Sequence, residues 1–549
     1  MTRTATVADA VGSALVGAGI DRVFAVVGSG NFHLTNAMVA AGAGFVAARH
    51  ESGAATMADA YARMAARPAA ITLHQGCGLT NAMTGITEAA KSRTPLVVAA
   101  AEVTEPRSNF YVDQQALAHA VGAVSVRIDD PGRAVDVATD AVHTARSQRR
   151  TVLLNLPLDV QVQPAPATVG AAAAPQPQPV DPSPEDLGRL VDAVRRAHRP
   201  VFIAGRGARR FAAELASVAE RAGALLAESA VAKGLFAGHP WSVGVSGGFA
   251  SPGAAELIRG ADFIVGWGCA LNMWTMRHGT LIAPGATVVQ VDDTPEAIGA
   301  HRQLTFGVHG DVGRTAAALT EQLGSPTTGY RTNAVRQRLD AGISWATEPF
   351  ADGSGEGRID PRTLSRELDR LLPDERVVSV DSGNFMGYPS AYLRVPDEEG
   401  FCFTQAFQSV GLGLATAIGA ALARPDRLPV AVLGDGGALM SAMELETVVR
   451  LGLPMLVVVY DDHAYGAEVH HFGGDDVSLD TVVFPDTDIA AIATGYGFEA
   501  AIVRAVEDLA VVRNWLAGPR AYPLLIDAKV TDKEPAWWLE EAFRGHGGR

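Results

Sequence analysis

Three cysteines in 549 residues are too few and too widely spaced for a disulfide framework or a thiolate metal site. Cys77, Cys269 and Cys402 read instead as small residues kept reduced in a cytoplasm. Basic side chains are also in deficit. Lys and Arg number 45 against 60 Asp and Glu, the formal charge is −15, and no basic cluster occurs. Such a chain repels a polyanion, which excludes nucleic acid as a natural partner. No uncharged apolar run reaches the roughly 18 residues a membrane-spanning helix needs, so no membrane association is expected. The opening residues, Met1 to Val7, lack the apolar core of a secretory signal, and a cytoplasmic location is expected. What the chain does have is 48% hydrophobic residues and 58 glycines, spread through alternating helix and strand patterns. That is the composition of α/β domains with large cores.

At ~150 residues per domain the length predicts three to four domains. Residues 1–165 read as repeated αβ units. Strand Arg22 to Val27 ends in Gly28-Ser29-Gly30, strand Gly44 to Ala48 ends at Arg49-His50-Glu51, and strand Ala69 to Leu73 ends in His74-Gln75-Gly76-Cys77-Gly78. Polar and glycine-rich groups thus recur at strand C-termini, the ligand-binding edge of an open parallel sheet. An Ala- and Pro-rich linker, Gln161 to Pro184, follows. Residues 185–325 form a second α/β region with strands at Arg199–Ala204, Asp262–Gly266 and Thr287–Val291. Its turn Gly205-Arg206-Gly207 can cradle a nucleotide diphosphate, although a lone glycine turn is more often structural. Asp292-Asp293 can bind ribose hydroxyls or cap the next helix. A second linker around one helix spans 326–357. The third region, 358–530, carries strand Arg376–Val380 running into Asp381-Ser-Gly-Asn384. A tail, 531–549, contains Trp537-Trp538, read either as packing against a neighbouring domain or as a cover for the active-site edge. The expected architecture is three doubly wound α/β domains with parallel sheets.

The most informative stretch runs from Leu428 to Tyr465. Val430 to Leu433 reads as a buried strand and ends in Gly434-Asp435-Gly436-Gly437. An amphipathic segment, Ala438 to Leu451, leads to a second apolar run, Met455 to Val459, which ends in Asp461-Asp462-His463-Ala464-Tyr465-Gly466. A right-handed crossover makes the two strands parallel, so both acidic endings emerge at one edge. Asp435 and Asp462 can converge there as hard oxygen ligands for a Mg²⁺ or Ca²⁺ that also holds phosphates. The glycines let backbone N–H groups approach phosphates.

This stretch resembles the thiamine-diphosphate motif, Gly-Asp-Gly followed some 25–30 residues later by Asn. Gly434, Asp435 and Gly436 match it, as do the helix with Glu444 and Glu446 and the pair Tyr465-Gly466. Asp462 stands where that family usually has its metal-binding Asn. The chain as a whole resembles the decarboxylase and acetolactate-synthase family, in the order pyrimidine-binding, central and diphosphate-binding domain. The resemblance implies that Glu51 is the catalytic glutamate that protonates the cofactor's aminopyrimidine. It implies that Asp435, Asp462 and Ala464 hold the metal, with Gly383, Asn384, Gly437 and Tyr465 around the diphosphate. Val410 falls where the family props the cofactor in its bent form. Ser29, Leu73-His74 and Asn81-Ala82-Met83 are similar to benzoylformate decarboxylase, which implies a substrate-facing serine and a histidine that moves protons. His278, in the central region, is a candidate second histidine. Gln75 is nearer to carboligating relatives. His470 and His471 are candidates to line the substrate path.

The implied activity is thiamine-diphosphate- and Mg²⁺-dependent cleavage or formation of a C–C bond on a 2-oxo acid. Acetolactate synthase is the runner-up. The pattern is also compatible with an oxidase holding FAD in the central region, with a 2-hydroxyacyl-CoA lyase and with a non-catalytic cofactor-binding scaffold; no specific signal supports FAD. Active sites in such enzymes lie between subunits, so a homodimer or a dimer of dimers is implied.

Overall fold

A computed structural model describes residues 5–165, 178–474 and 477–539. The middle of the expected first linker and the end of the expected tail lie outside these residues.

Three six-stranded sheets are formed, and every strand pairing in them is parallel. The first contains β1 (Arg22–Ala25), β2 (Gly44–Ala47), β3 (Ala69–Leu73), β4 (Leu96–Glu102), β5 (Val124–Arg127) and β6 (Thr151–Pro157), in the order β2-β1-β3-β4-β6-β5. The second contains β7 (Pro200–Ala204), β8 (Leu225–Glu228), β9 (Ser242–Val245), β10 (Phe263–Trp267), β11 (Thr287–Asp292) and β12 (Phe306–His309), in the order β12-β11-β10-β7-β8-β9. The third contains β13 (Arg376–Val380), β14 (Phe401–Phe403), β15 (Leu428–Gly434), β16 (Leu456–Asp461), β17 (Glu499–Val503) and β18 (Leu524–Lys529), in the order β14-β13-β15-β16-β18-β17. Central strands such as β4, β6, β7 and β10 are buried at every position. This is why their sequences are unbroken apolar runs rather than alternating ones: helices cover both faces.

The first and third sheets share a core. Helix Glu51–Ala65 lies against helix Gly413–Ala423, and Ala54, Ala58, Leu414, Ile418 and Leu433 belong to one buried cluster. The approach is close enough that a Cβ on Gly419 would come within 2.2 Å of the Met57 carbonyl. The central unit docks through Phe249, which joins the buried cluster of the third unit, and through polar contacts. Lys233 Nζ donates to the Ser390 and Leu393 carbonyls at 2.5 and 2.6 Å. Arg206 reaches the Ser92 carbonyl at 2.6 Å.

Several open readings resolve here. Asp293 accepts from Arg149 of the first unit at 2.7 Å, and Asp292 accepts the Thr294 N–H at 3.1 Å, so this acidic pair is an interdomain strut and a local side-chain turn. The Gly205 turn is filled by protein. A Cβ on Gly205 would lie 2.3 Å from the Gly268 carbonyl, and one on Gly207 2.9 Å from Gly268 Cα. The backbone that a diphosphate would approach is already packed. Trp537 Nε1 donates to the Gly248 carbonyl at 3.0 Å and its ring stacks on Trp345, so the tryptophan pair fastens the third unit to the central one. The segment read as one helix over 438–451 is broken into Asp435–Met440, the 3₁₀ turn Ala442–Glu444, and Leu445–Arg450. The break falls at Ser441, whose hydroxyl bonds back to the Gly437 carbonyl at 2.8 Å and competes with the helix ladder.

Candidate active site

In the first sheet β2, β1 and β3 are neighbours, so the turns carrying Glu51, Ser29 and His74 leave the same edge side by side. His74 Nδ1 accepts the Gly30 N–H at 3.2 Å. With Nδ1 an acceptor, the proton of the neutral imidazole sits on Nε2. The glycines of the first turn are needed for this contact: a Cβ on Gly28 would lie 2.9 Å from His74 Nδ1, and one on Gly30 would overlap Gln75 Oε1. Ser29, between them, is exposed. Gln75 is buried, and its Oε1 has no hydrogen-bond partner among the described residues. Phe110 stands edge-on to the His74 ring with centroids 5.7 Å apart.

Glu51 is the first residue of its helix, a position the helix dipole favours for an acid. Asn81 Nδ2 donates to Glu51 Oε2 at 3.1 Å. The backbone leading into Glu51 is held by Glu444, whose Oε1 accepts the Arg49 and His50 N–H groups at 3.0 and 3.1 Å. A Cβ on Gly53 would lie 2.3 Å from that oxygen.

In the third sheet β13, β15 and β16 are neighbours, and Asn384, Asp435 and Asp462 follow their ends. Burial pushes the Asp435 carboxyl up to about 8, with Asp462 and then Asp461 adding repulsion. Burial pushes Asp462 up to about 6, although Asn384 Nδ2 at 3.4 Å and the Ala464 N–H at 3.2 Å oppose the rise. Two half-buried carboxylates at neighbouring strand ends are the donor type that a hard divalent cation takes. The backbone around them is a cradle of small residues. A Cβ on Gly436 would lie 2.9 Å from the Tyr465 ring, and one on Gly437 2.2 Å from Asp381 Oδ2. Gly383 has φ +144°, open to glycine and hardly to other residues. Asn384 Oδ1 is buried with no partner among the described residues. The donor set and the cradle fit a metal-bound diphosphate.

Val410 is exposed and lies 3.4 Å from where a Gly437 Cβ would be. Its loop is held at both ends by buried carboxylates that sequence reasoning missed. Asp381 accepts the Gly411 and Leu412 N–H groups at 3.0 and 3.2 Å, and burial pushes it up to about 6. Glu88 accepts the Ala406 and Phe407 N–H groups at 3.1 and 2.7 Å. His278 lies in the central unit on a left-handed turn of φ +51°, its N–H on the Met273 carbonyl at 2.8 Å. Its neighbour Arg277 ties that turn to the Gly247 and Ala250 carbonyls. His470 and His471 end helix Gly466–Phe472, just beyond Tyr465.

Three parallel α/β units, with a polar edge on the first and an acidic, glycine-lined edge on the third, define a protein that holds a phosphorylated cofactor. Its family follows from comparison. Residues 5–122 match the thiamine pyrophosphate enzyme N-terminal TPP binding domain, 187–319 the central domain and 381–527 the C-terminal TPP binding domain. The chain belongs to the thiamine pyrophosphate enzyme family. It is 28% identical over 530 residues to a sulfoacetaldehyde acetyltransferase of Alcaligenes xylosoxydans xylosoxydans, covering 89% of this chain and 87% of that one. It is 29% identical over 525 residues to a probable 2-ketoarginine decarboxylase of Pseudomonas aeruginosa, covering 92% and 90%. A 4-hydroxybenzoylformate decarboxylase of Rhodococcus jostii RHA1, dependent on thiamine diphosphate, shares the fold with a TM-score of 0.79 at 22% identity, over 96% of this chain and all of that one. Among the described residues no helix is long and apolar enough to cross a membrane.

Proposed function

We propose that the protein is a thiamine-diphosphate- and Mg²⁺-dependent enzyme that cleaves or forms a C–C bond on a 2-oxo acid. The observation that carries this reading is the presence of two complementary polar edges on one chain. One holds Glu51 and an oriented His74; the other holds Asp435 and Asp462 over a glycine cradle. Asp435, Asp462 and Ala464 hold the metal, and Gly383, Asn384, Gly434, Gly436, Gly437 and Tyr465 surround the diphosphate. Val410 supports the cofactor from its clamped loop. Thiamine diphosphate, when bound, supplies a nucleophilic carbon and an electron sink for the bond that breaks.

The residues of the chain do the rest. Glu51 would hold the proton that the aminopyrimidine needs; Asn81 occupies its Oε2 and leaves Oε1 available. His74, its Nδ1 committed to Gly30, presents Nε2–H, so it donates to a substrate oxygen and any proton it moves leaves from Nε2. The Ser29 hydroxyl, exposed beside it, is placed to bind the substrate carboxylate. Gln75 is buried beneath and shapes this wall. His278, in the central unit, supplies a second histidine from another wall.

The test is incubation with thiamine diphosphate and Mg²⁺ against pyruvate, branched-chain 2-oxo acids, benzoylformate and 2-ketoarginine, each with and without an acceptor aldehyde. Sulfoacetaldehyde with phosphate tests a second reading, acyl transfer, which the acetyltransferase relatives favour. Release of CO₂ with an equal amount of aldehyde identifies a decarboxylase, and a hydroxyketone product identifies a carboligase such as acetolactate synthase. Cofactor binding without CO₂ from any 2-oxo acid would overturn the proposal.

A further inference from the structure

Strand β16 ends in two consecutive acids with different surroundings. Asp462 meets Asn384, whereas Asp461 meets Lys529, whose Nζ donates to Asp461 Oδ2 at 2.6 Å. The same ammonium donates to Asp486 Oδ1 at 2.7 Å and to the Thr487 carbonyl at 3.2 Å, and it lies 3.0 Å from Asp527 Oδ2. The Lys529 side chain is 1% exposed. Asp461, His463 and Asp486 gather ligand atoms within 4.8 Å of one another, as a metal site would. Lys529 already supplies the positive charge there, so this cluster is a closed ion-pair network rather than a second cation site.

The segment that Lys529 grips, 482–487, is the one that shapes the metal loop. The Tyr465 N–H donates to the Val482 carbonyl and the Phe484 N–H to the His463 carbonyl, both at 2.8 Å. Ala464 and Val483 form an antiparallel bridge, and the Tyr465 and Phe484 rings meet at 4.9 Å. Within this ladder His463 is held at φ +62°, a left-handed conformation uncommon for a residue other than glycine, with Arg358 3.0 Å from its Nδ1.

We propose that Lys529 and Asp486 are positioning residues, an internal ammonium and its outer anchor, which fix loop 461–466 so that Asp462 and Ala464 present their oxygens to the cation. This rests on the reading of Asp435 and Asp462 as cation ligands. Asp486 is the residue to change, because its side chain is 54% exposed and Lys529 keeps Asp461 and Asp527 without it. Mn²⁺ binding in the presence of thiamine diphosphate, followed by electron paramagnetic resonance, is measured beside thermal unfolding of the ligand-free protein. Asp486→Asn is expected to weaken Mn²⁺ binding about tenfold or more, the usual effect of losing an outer-shell partner, at an unchanged ligand-free melting temperature. Asp486→Glu is expected to recover most of the affinity. Equal Mn²⁺ affinity in Asp486→Asn and the parent overturns the proposal. So does a loss of affinity accompanied by a fall in ligand-free melting temperature, which marks a merely structural role. A parent protein that binds no Mn²⁺ overturns the cation-site reading itself, and this proposal with it.

Discussion

Glu51 illustrates how one side chain is prepared for a proton. It is the first residue of its helix and follows the end of β2, so it stands at the polar edge of the first sheet. One oxygen is occupied by Asn81 at 3.1 Å, and the backbone before it is pinned by Glu444. An orientation so fully determined suits a group that must meet one cofactor atom. Glu51→Gln keeps the shape and removes the proton, and it is expected to lower turnover by roughly 10²–10⁴, the usual worth of a positioned acid–base group. Cofactor affinity measured by tryptophan fluorescence should change far less. Turnover within a few-fold of the parent would exclude the role given to Glu51.

The two acids of the third edge carry a different lesson at the same scale. Burial, with repulsion from Asp462 and Asp461, holds Asp435 near 8, and burial, with repulsion from Asp461, holds Asp462 near 6. Without a cation, neither recovers its full desolvation cost at neutral pH. Both were legible in the sequence because each follows an apolar run directly, and a parallel crossover puts such endings on one edge. Lys529 was not legible. It lies 68 positions from Asp461, at the end of an ordinary buried strand, and only folding makes it a counter-ion.

At the scale of elements, strand ends and glycine turns could be read because their signals are local. The loop that carries Val410 could not. Its clamp joins Glu88 to Ala406 across 318 positions, and a glutamate within a helix gives no sign of an acceptor role so far away. The same limit explains the broken helix at 438–451, where the amphipathic pattern survives but the Ser441 hydroxyl shares the Gly437 carbonyl with its own N–H. The clamp makes a prediction of its own. Glu88→Gln leaves one acceptor oxygen for the Ala406 and Phe407 N–H groups, so one of them loses its bond at a cost of about 1–3 kcal/mol. Denaturant unfolding should show that loss, and hydrogen exchange should rise first in residues 404–412. Unchanged exchange there would mean that Asp381 alone holds the loop.

At the scale of the whole molecule the exposed apolar side chains raise a question that one chain does not answer. Phe32 is 52% and Met440 51% exposed, with Val27 and Phe110 also exposed on the first unit and Leu439 and Met443 on the third. Large apolar side chains left open beside both candidate edges are what an association surface would cover. Pairing the first edge of one copy with the third edge of a second would cover them and complete two equivalent sites at once, as two-fold symmetry requires. Light scattering should therefore give at least twice the mass of one chain, and Phe32→Glu with Met440→Glu should lower the mass and the cofactor affinity together. A sharper test uses two inactive variants. Glu51→Gln damages the first edge and Asp435→Ala the third. If each site takes one edge from each chain, a mixed dimer of the two variants has one site with both defects and one site with neither. Random pairing after co-expression should then restore about a quarter of the parental sites, because half the dimers are mixed and each regains one site of two. If both edges of a site came from the same chain, every site would keep one defect and mixing would restore nothing. Activity on co-expression, absent from either variant alone, thus reports where the site lies independently of which 2-oxo acid it takes.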